Sequence, residues 1–267
     1  MKDSPLALVT GGAGAIGTAT VRRLLSEGMR LISLDRSEEE LQRQAEEFDT
    51  QNLITRAFDL SDSANIPHLV DDLIDLHGPI TRLVNNAGVW EGAPIIEMGD
   101  DIWNLNFAVN VTAPFALMRG IAQVMAGAGG GRIVNVASRN ALRSSTNNAA
   151  YDASKAALVS LTRTAAGEFA KDSIRVNALC PGVVSTPSTT DIEEPNFKAA
   201  YTRLIPMARY GKPEEMAGVI AFLLSDDASF ITGQAFVADG GQLACQDNAR
   251  FMEIPGMKPQ PECNGED

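Results

Sequence analysis

The sequence is poor in the residues that build disulfide frameworks and metal centres. Of its 267 residues only three are cysteines, Cys180, Cys245 and Cys263, and they form no Cys-x-x-Cys pair. An odd number of scattered cysteines argues against a disulfide framework, so we expect a cytoplasmic protein. The two histidines, His68 and His77, lie in a polar helical stretch and are interpreted as solvated surface residues. We therefore expect no metal site and no catalytic triad that depends on histidine.

Positive charge and long apolar runs are also scarce. The 22 lysines and arginines stand against 34 acidic residues, which gives a net charge of −12. Such an acidic chain lacks the electrostatic footprint of a protein that binds nucleic acid or an anionic membrane. No stretch reaches the ~18 apolar residues of a membrane span, and the run at 6–9 is too short for a signal-peptide core. The expected partner is a small molecule, and a local field could still favour an anionic one.

Short apolar runs alternate with longer helical patterns along the chain. The runs are nearly continuous in apolar residues, as in a parallel sheet covered on both faces, and span residues 6–10, 30–35, 54–59, 83–87, 133–137, 176–179 and 235–238. Helical patterns cover residues 16–26, 38–48, 63–77, 153–170 and 213–224. This alternation predicts an α/β fold, a doubly wound (Rossmann) parallel sheet of about seven strands with helices on both faces. We expect a single domain over residues 1–241.

Two segments interrupt the alternation. Residues 183–212 are rich in Ser, Thr, Pro and Glu, and a loop of this length inside a domain is typical of a lid or substrate loop. Residues 242–267 form an acidic tail that contains Pro and Gly. Two interpretations of the tail stay open, a frayed terminus and an arm that packs on a neighbouring subunit.

A glycine-rich turn follows the first predicted strand. Residues 10–17 read Thr-Gly-Gly-Ala-Gly-Ala-Ile-Gly and lead into a helix, whose N-terminal N–H groups could bind a pyrophosphate. Asp35 ends the second strand, where its carboxylate can accept hydrogen bonds from both hydroxyls of an adenosine ribose. It would repel a 2′-phosphate, which favours NAD over NADP. Two alternatives remain, since Arg36 could offset this repulsion and Asp35 could instead cap the next helix.

Tyr151 and Lys155 lie four residues apart at the start of a helical pattern, so both project from one face. An ammonium near a phenol lowers the tyrosine pKa from about 10 toward neutrality, as a tyrosine general base requires. Alone, the two residues could also be a surface pair. Ser138 follows the fifth strand, at the edge of the sheet where ligands bind in open α/β folds.

Taken in order, these motifs resemble the short-chain dehydrogenase/reductase family over roughly residues 5–241. The matching pieces are the 10–17 turn, Asp59-Leu60, Asn85-Asn86-Ala87-Gly88, Asn110, Ser138, Tyr151-x-x-x-Lys155, Pro181-Gly182 with Thr186, and Asp239-Gly240-Gly241. The resemblance implies an oxidoreductase that assembles as a homotetramer, and Asp35 adds the preference for NAD.

The resemblance also implies a role for each matched residue. Tyr151 would be the acid/base for the substrate oxygen, and Ser138 would hydrogen-bond the same oxygen. Lys155 would lower the Tyr151 pKa and bind the nicotinamide ribose, and Asn110 would hold a water of a proton relay. The cofactor contacts implied, besides Tyr151 and Lys155, are Gly11, Gly14, Ala15, Ile16, Gly17, Asp35, Arg36, Asp59, Leu60, Asn86, Ala87, Gly88, Pro181, Gly182, Val184 and Thr186. Ala15 departs from the family pattern, which usually has glycine there, and its methyl group narrows the approach to the pyrophosphate.

The segment after the fifth strand, residues 138–148, is unusually polar. Arg139, Asn140 or Arg143 would suit hydroxyls or a carboxylate, sulfonate or phosphate, and Trp90 could also border the pocket. Each of these side chains could instead face solvent or another subunit. We expect interconversion of a secondary alcohol and a ketone, or of a sugar hemiacetal and its lactone, on a sugar, sugar acid or other small polyol. The alternatives are a 3-oxoacyl thioester or other carbonyl reductase, and a non-catalytic nucleotide-sensing protein.

Overall fold

The core of the structure is one parallel sheet. The computed structural model describes residues 4–186 and 193–245. The strands are β1 (Leu6–Thr10), β2 (Arg30–Asp35), β3 (Leu53–Ala57), β4 (Ile80–Asn85), β5 (Gly131–Val136), β6 (Ile174–Pro181) and β7 (Ala235–Ala238). They pair in the order β3-β2-β1-β4-β5-β6-β7, and every pairing is parallel. The chain order reverses between β1 and β4, which places a ligand crevice outside the carboxyl ends of these strands.

Helices connect the strands on both faces of the sheet. They are α1 (Ala15–Ser26), α2 (Glu38–Phe48), α3 (Ile66–His77), α4 (Asp100–Phe107), α5 (Ala113–Gly127), α6 (Ala149–Phe169), α7 (Pro195–Thr202) and α8 (Pro213–Leu224). A π-helical turn, Ala108–Thr112, joins α4 to α5, and a 3₁₀ turn, Arg139–Ala141, follows β5. None of the helices in the described part of the chain is long and apolar enough to cross a membrane.

Alternate residues of β1 face two apolar layers. Leu6 and Leu8 pack in the layer with α3 and α5, whereas Ala7 and Val9 pack in the layer with α1 and α8. All four side chains are buried, because helices cover both faces of the central strand. Burial on both sides explains why the strand is an uninterrupted apolar run rather than an alternating pattern.

The predicted α/β architecture is confirmed. Five elements, β1, β2, β7, α2 and α8, have the predicted bounds, and the other predicted elements differ at their ends by one to four residues. Helices α4 and α5 were not predicted. Since α5 is apolar around much of its circumference, it lacks a clear helical pattern of polar and apolar residues.

The two irregular segments were predicted only in part. Residues 183–212 do not form a loop throughout, because α7 lies within them. Residues 187–192 and 246–267, and with them Cys263, lie outside the described residues, so the tail interpretations and the single-domain prediction stay predictions.

Cys180 is buried and Cys245 is exposed, and both are free thiols.

Candidate active site

The glycine-rich turn after β1 is packed too tightly for side chains. Gly11 has a φ of +60°, and a Cβ there would lie 2.8 Å from the Cα of Ala87. A Cβ at Gly17 would overlap the backbone carbonyl of Gly11. The turn therefore approaches both the loop after β4 and its own helix, and glycine is required at these two positions.

The turn ends at the N-terminus of α1. Gly14 is the N-cap and Ala15 is the first helical residue. The first N–H groups of the helix, at Ala15, Ile16 and Gly17, have no acceptor within the helix. Because the cap is glycine, no side chain covers these groups. Such N–H groups, together with the positive end of the helix dipole, bind phosphate. The turn therefore fits the pyrophosphate of a dinucleotide.

Asp35 faces the same turn from the end of β2. Its Oδ2 accepts a hydrogen bond from the Ala13 N–H (3.2 Å) and its Oδ1 accepts one from the Ser37 N–H (3.2 Å). The cap of α2 is Ser37, whose hydroxyl accepts from the Glu40 N–H at 3.2 Å. The alternative interpretation of Asp35 as the helix cap is therefore wrong. Its carboxylate lies half-buried beside the exposed Arg36.

The loop after β4 is bonded to the end of β1. The Thr10 hydroxyl accepts hydrogen bonds from the N–H groups of Asn86 (3.0 Å) and Ala87 (3.1 Å). Asn86 Nδ2 donates to the carbonyls of Thr10 and Gly11, both at 3.0 Å. These bonds fix the loop against the phosphate-binding turn.

The other predicted cofactor positions follow β3 and β6. Asp59 is exposed and accepts a hydrogen bond from the Ser61 N–H at 2.8 Å, whereas Leu60 is buried. After β6, Gly182 is confined, because a Cβ there would lie 2.7 Å from the Cα of Asp239. The remaining positions on this side are Pro181, Val184 and Thr186. All the predicted cofactor positions thus lie at the carboxyl edge of the sheet.

Ser138, Tyr151 and Lys155 form one cluster at this edge. Ser138 follows β5, and the other two lie one turn apart near the start of α6. The Ser138 hydroxyl lies close enough to the Tyr151 phenol to act on its pKa. Lys155 Nζ lies 5.8 Å from the centre of the phenol ring and donates to the Val136 carbonyl at 2.9 Å. The structure therefore brings the predicted acid/base, its serine partner and the lysine together.

Burial sets the protonation of this cluster. It lowers the pKa of Lys155 from 10.5 to about 8, because the ammonium loses its water. Burial also raises the pKa of Tyr151 above its ordinary value, although the neighbouring Ser138 hydroxyl and the charge of Arg139 act to lower it. The prediction that Lys155 lowers the Tyr151 pKa is not met in this structure. Desolvation of the phenolate outweighs the favourable contacts, and the ammonium is directed to the Val136 carbonyl.

Asn110 is buried in the π-helical turn. Its Oδ1 accepts from the Val89 N–H (3.0 Å), and its Nδ2 donates to the Val89 carbonyl (2.9 Å) and to Ser154 Oγ (3.0 Å). A Cβ at Gly88 would lie 3.1 Å from Lys155 Nζ and 3.3 Å from Asn110 Oδ1, so both polar groups border one small space. Protein groups thus already occupy both ends of the amide, and the predicted role of Asn110 in holding a relay water stays a prediction. Turns of this π type are frequent at functional sites.

The four predicted substrate residues separate into two groups. Arg139 and Arg143 line a common cavity of about 340 Å³. Asn140 is buried instead, and its Nδ2 donates to Asp152 Oδ1 at 2.7 Å. Trp90 is 58% exposed and lines neither this cavity nor its neighbour of about 690 Å³. Of the four residues, Arg139 and Arg143 thus share a cavity, and the substrate role of all four stays a prediction.

Three residues near the site were missed from the sequence. Asp152 Oδ2 accepts from the Ser145 N–H at 2.7 Å and thereby shapes the polar segment after β5. Its position directly beside the candidate tyrosine was a usable signal. Tyr201 Oη accepts a hydrogen bond from Arg139 Nη2 at 2.8 Å, and Arg203 lines the same cavity as Arg139. These two residues carry no local pattern, since 62 positions separate Tyr201 from Arg139.

Comparison with known proteins gives consistent matches over most of the chain. A family model described as enoyl-(acyl carrier protein) reductase matches residues 11–242. The 3-oxoacyl-(acyl-carrier-protein) reductase of Thermotoga maritima is 35% identical over 241 residues, which cover 90% of this chain and 98% of that protein. The solved structure of actinorhodin polyketide ketoreductase with NADPH has a TM-score of 0.86 and 33% identity, over 91% of this chain and 98% of that one. Gluconate 5-dehydrogenase from Burkholderia cenocepacia, in complex with NADP and tartrate, has a TM-score of 0.86 and 29% identity, over 91% and 96%.

The chain therefore belongs to the short-chain dehydrogenase/reductase family. It is an oxidoreductase that interconverts an alcohol and a carbonyl group with a nicotinamide cofactor. Both solved relatives contain the 2′-phosphorylated form of the cofactor, so the similarity leaves the choice between NAD and NADP open.

Proposed function

We propose that this enzyme is an NAD-dependent dehydrogenase of a small polar substrate. It would interconvert a secondary alcohol and a ketone, or a sugar hemiacetal and its lactone. The cluster of Ser138, Tyr151 and Lys155 beside the phosphate-binding turn is the observation that carries this proposal. When bound, the nicotinamide ring supplies the hydride transfer, while the chain supplies binding, orientation and proton transfer.

The proton path starts at Tyr151. Its phenolate would accept the proton of the substrate hydroxyl during oxidation, and its phenol would return a proton during reduction. Ser138 would hydrogen-bond the same substrate oxygen and hold it beside the phenol. Lys155, with a pKa of about 8, changes protonation near neutral pH and would pass the proton onward. A water held by Asn110 would complete the path to solvent.

The preference for NAD rests on Asp35. Its half-buried carboxylate lies at the end of β2 and faces the turn through its hydrogen bond from Ala13. A 2′-phosphate beside this carboxylate would be repelled, whereas the two ribose hydroxyls of NAD could donate to it. Since Arg36 forms no ion pair with any described residue, its charge opposes this preference in part.

A second candidate function is the reduction of a 3-oxoacyl thioester. The neighbouring cavity of about 690 Å³ favours it, because Leu142, Met207, Val237 and Leu243 give that cavity an apolar wall that could hold an acyl chain. The relative from Thermotoga maritima is named for this reaction. The Asp35 carboxylate opposes this candidate if the reaction uses NADPH.

A substrate panel distinguishes the two functions. The purified enzyme is mixed with NAD or NADP and a sugar acid, an alditol, a simple secondary alcohol or a 3-hydroxyacyl thioester, and formation of the reduced cofactor is followed by absorbance. NADH formation with the polyhydroxylated compounds supports the first proposal. Turnover confined to the thioester with NADP supports the second. Cofactor binding without turnover of any member would contradict both.

Assembly and compartment also belong to this proposal. We propose a homotetramer in the cytoplasm, on the strength of family membership and of cysteine usage. The chain mass is 28.4 kDa, so light scattering of the purified protein distinguishes one, two and four copies.

A further inference from the structure

The cavity of about 340 Å³ is lined by three arginines from two segments of the chain. Arg139 and Arg143 come from the segment after β5, and Arg203 comes from the segment that follows α7. Ser144 and Ser145 add hydroxyl groups to the wall. We refer to it as the arginine cavity.

Within the described residues, no carboxylate neutralises these arginines. None of the ion pairs found there involves Arg139, Arg143 or Arg203. Asp152 lies against the same segment, but each of its carboxylate oxygens already accepts a hydrogen bond of 2.7 Å within the protein. The whole chain carries a net charge of −12. Three guanidinium groups without acidic partners therefore give the cavity a local field that attracts an anion.

Tyr201 orients the first of the three arginines. Arg139 Nη2 donates to Tyr201 Oη at 2.8 Å, and Gln242 Nε2 donates to the same oxygen at 3.4 Å. The Tyr201 ring stacks on Phe197 with centroids 5.8 Å apart and meets the edge of Tyr210 at 5.9 Å. Because these contacts already hold the guanidinium, less conformational entropy is lost when a ligand binds to it.

The arginine cavity adjoins the candidate reaction centre. Arg139 directly follows Ser138, and its positive charge lies close enough to Tyr151 to act on the pKa of the phenol. Arg139 therefore connects the candidate reaction centre to the cavity, since it lines the cavity and follows Ser138 directly.

We propose that Arg139, Arg143 and Arg203 bind an anionic group of the substrate, a carboxylate, sulfonate or phosphate, at the end remote from the reacting carbon. The proposal rests on the dehydrogenase function and narrows its substrates to anionic hydroxy compounds. Guanidinium groups pair with such oxyanions through two parallel hydrogen bonds, which gives orientation as well as affinity. An anion bound here would also link the segment after β5 to the segment that carries α7. Tyr201 serves as a positioning residue, because it acts through Arg139.

The test measures binding and turnover separately on the full chain loaded with NAD. Titration calorimetry compares the affinity for gluconate with that for sorbitol. At one end of the molecule, gluconate has a carboxylate where sorbitol has a hydroxymethyl group. Tartrate, a hydroxyalkyl sulfonate and a sugar phosphate then distinguish the three kinds of anion. Arg143→Gln and Arg203→Gln each remove one charge from the cavity. Arg163→Gln is the matched control, since this arginine is exposed on α6 and lies outside the cavity.

We expect at least one of the anions to bind roughly tenfold or more tightly than sorbitol. Each cavity variant should weaken this binding by roughly ten- to a hundredfold, while Arg163→Gln leaves it unchanged. Tyr201→Phe should raise the KM for the anion with little change in kcat, because only the orientation of Arg139 is lost.

Two outcomes separate this inference from the dehydrogenase function. Turnover of sorbitol and simple alcohols, with no affinity for any of the anions or no loss in Arg143→Gln and Arg203→Gln, would overturn the anion subsite alone. Tight anion binding that depends on these arginines, without turnover of any compound, would support the subsite and contradict the dehydrogenase function.

Discussion

The ammonium of Lys155 donates a hydrogen bond to the backbone carbonyl of Val136 over 2.9 Å, within a site where only 3% of the lysine is exposed. No carboxylate forms an ion pair with this lysine in the described part of the chain. One carbonyl replaces only part of the water that the ammonium loses, and burial therefore lowers the lysine pKa to about 8. The fold thus contains a buried charge that costs stability, at a position where we propose proton transfer.

Replacing Lys155 with methionine should stabilise the fold at pH 7 and abolish turnover. A pKa that falls from 10.5 to about 8 corresponds to roughly 3 kcal/mol of unfavourable free energy for the folded state. Since the Val136 carbonyl loses its donor in the variant, we expect a net gain of about 1–2 kcal/mol, which raises the Tm by a few degrees.

The pH dependence of this gain identifies its cause. The penalty is fully present below about pH 8 and fades as the pH rises through 10.5, above which the lysine is neutral in both states. Thermal unfolding should therefore show a higher Tm for the variant than for the wild type at pH 7, and a smaller difference in Tm at pH 10. Lys171→Met, at an exposed position, is the control and should show no such gap. A variant at position 155 that is less stable than wild type at pH 7 would contradict this account.

Tyr151→Phe should abolish measurable turnover and leave the affinity for NAD nearly unchanged. The phenol would exchange a proton with the substrate, and loss of such a general acid/base lowers kcat by roughly 10²–10⁴-fold. The cofactor affinity should persist, because the phosphate-binding turn and Asp35 are distant from the change along the sheet. Steady-state kinetics give kcat, and titration of tryptophan fluorescence gives the Kd for NAD. Loss of NAD binding would show that Tyr151 is needed to bind the cofactor and would contradict its assignment to proton transfer alone.

Ser138→Ala should move the pH dependence of alcohol oxidation to higher pH. The Ser138 hydroxyl acts to lower the pKa of Tyr151, so its removal leaves burial to raise that pKa further. The phenolate then forms only at higher pH, and kcat at pH 7 falls. Ser160→Ala, at an exposed position of α6, keeps the wild-type profile if the effect is specific. An unchanged pH profile in Ser138→Ala would show that Ser138 does not influence the pKa of the Tyr151 phenol.

Parts of the site were predictable because their geometry is local. The glycine-rich turn is one example, since Gly11 and Gly17 lie on either side of a strand-to-helix connection whose shape follows from sequence spacing. Tyr151 and Lys155 are another, because four residues make one turn of a helix. The strands were predictable from their apolar runs, since burial on both faces removes the need for alternation.

Other parts depend on contacts between distant segments. The hydrogen bond between Arg139 and Tyr201 joins residues 62 positions apart, and no spacing rule reports it. Asn140 was predicted to face the substrate because its segment is polar, but burial against Asp152 occupies its amide. The direction of the Tyr151 pKa was also missed, since desolvation depends on how completely the fold covers the phenol.

Asp35→Ala should narrow the preference for NAD over NADP. The carboxylate that would repel a 2′-phosphate is removed, and we expect the ratio of kcat/KM values to fall by roughly tenfold or more. The variant also loses the hydrogen bonds from Ala13 and Ser37, so part of any effect could come from a displaced turn. Asp35→Asn is therefore the matched control, because it keeps an acceptor oxygen but removes the charge. An unchanged ratio in both variants would show that this carboxylate does not face the ribose.

A row of arginines crosses the opposite edge of the sheet. Arg82, Arg132 and Arg175 occupy paired positions on β4, β5 and β6, so three like charges lie side by side. Burial and the neighbouring Arg132 lower the pKa of Arg82 to about 10. Asp226 accepts a hydrogen bond from Arg132 Nη2 at 2.7 Å, and the row lowers the pKa of this carboxyl. This carboxylate therefore offsets part of the repulsion within the row.

Asp226→Asn should lower the Tm at pH 7 and have no effect in strong acid. The folded-state pKa of Asp226 lies below the ordinary 3.8, so its stabilisation is present above pH 3.8 and is lost as the pH falls through the folded value. The variant and the wild type should therefore converge as the pH is lowered, and added salt should reduce their difference at pH 7. Asp227→Asn is the control, since the adjacent Asp227 forms no ion pair in the described chain. Equal losses of Tm in both variants would mean that the turn after α8, rather than the arginine row, determines the effect.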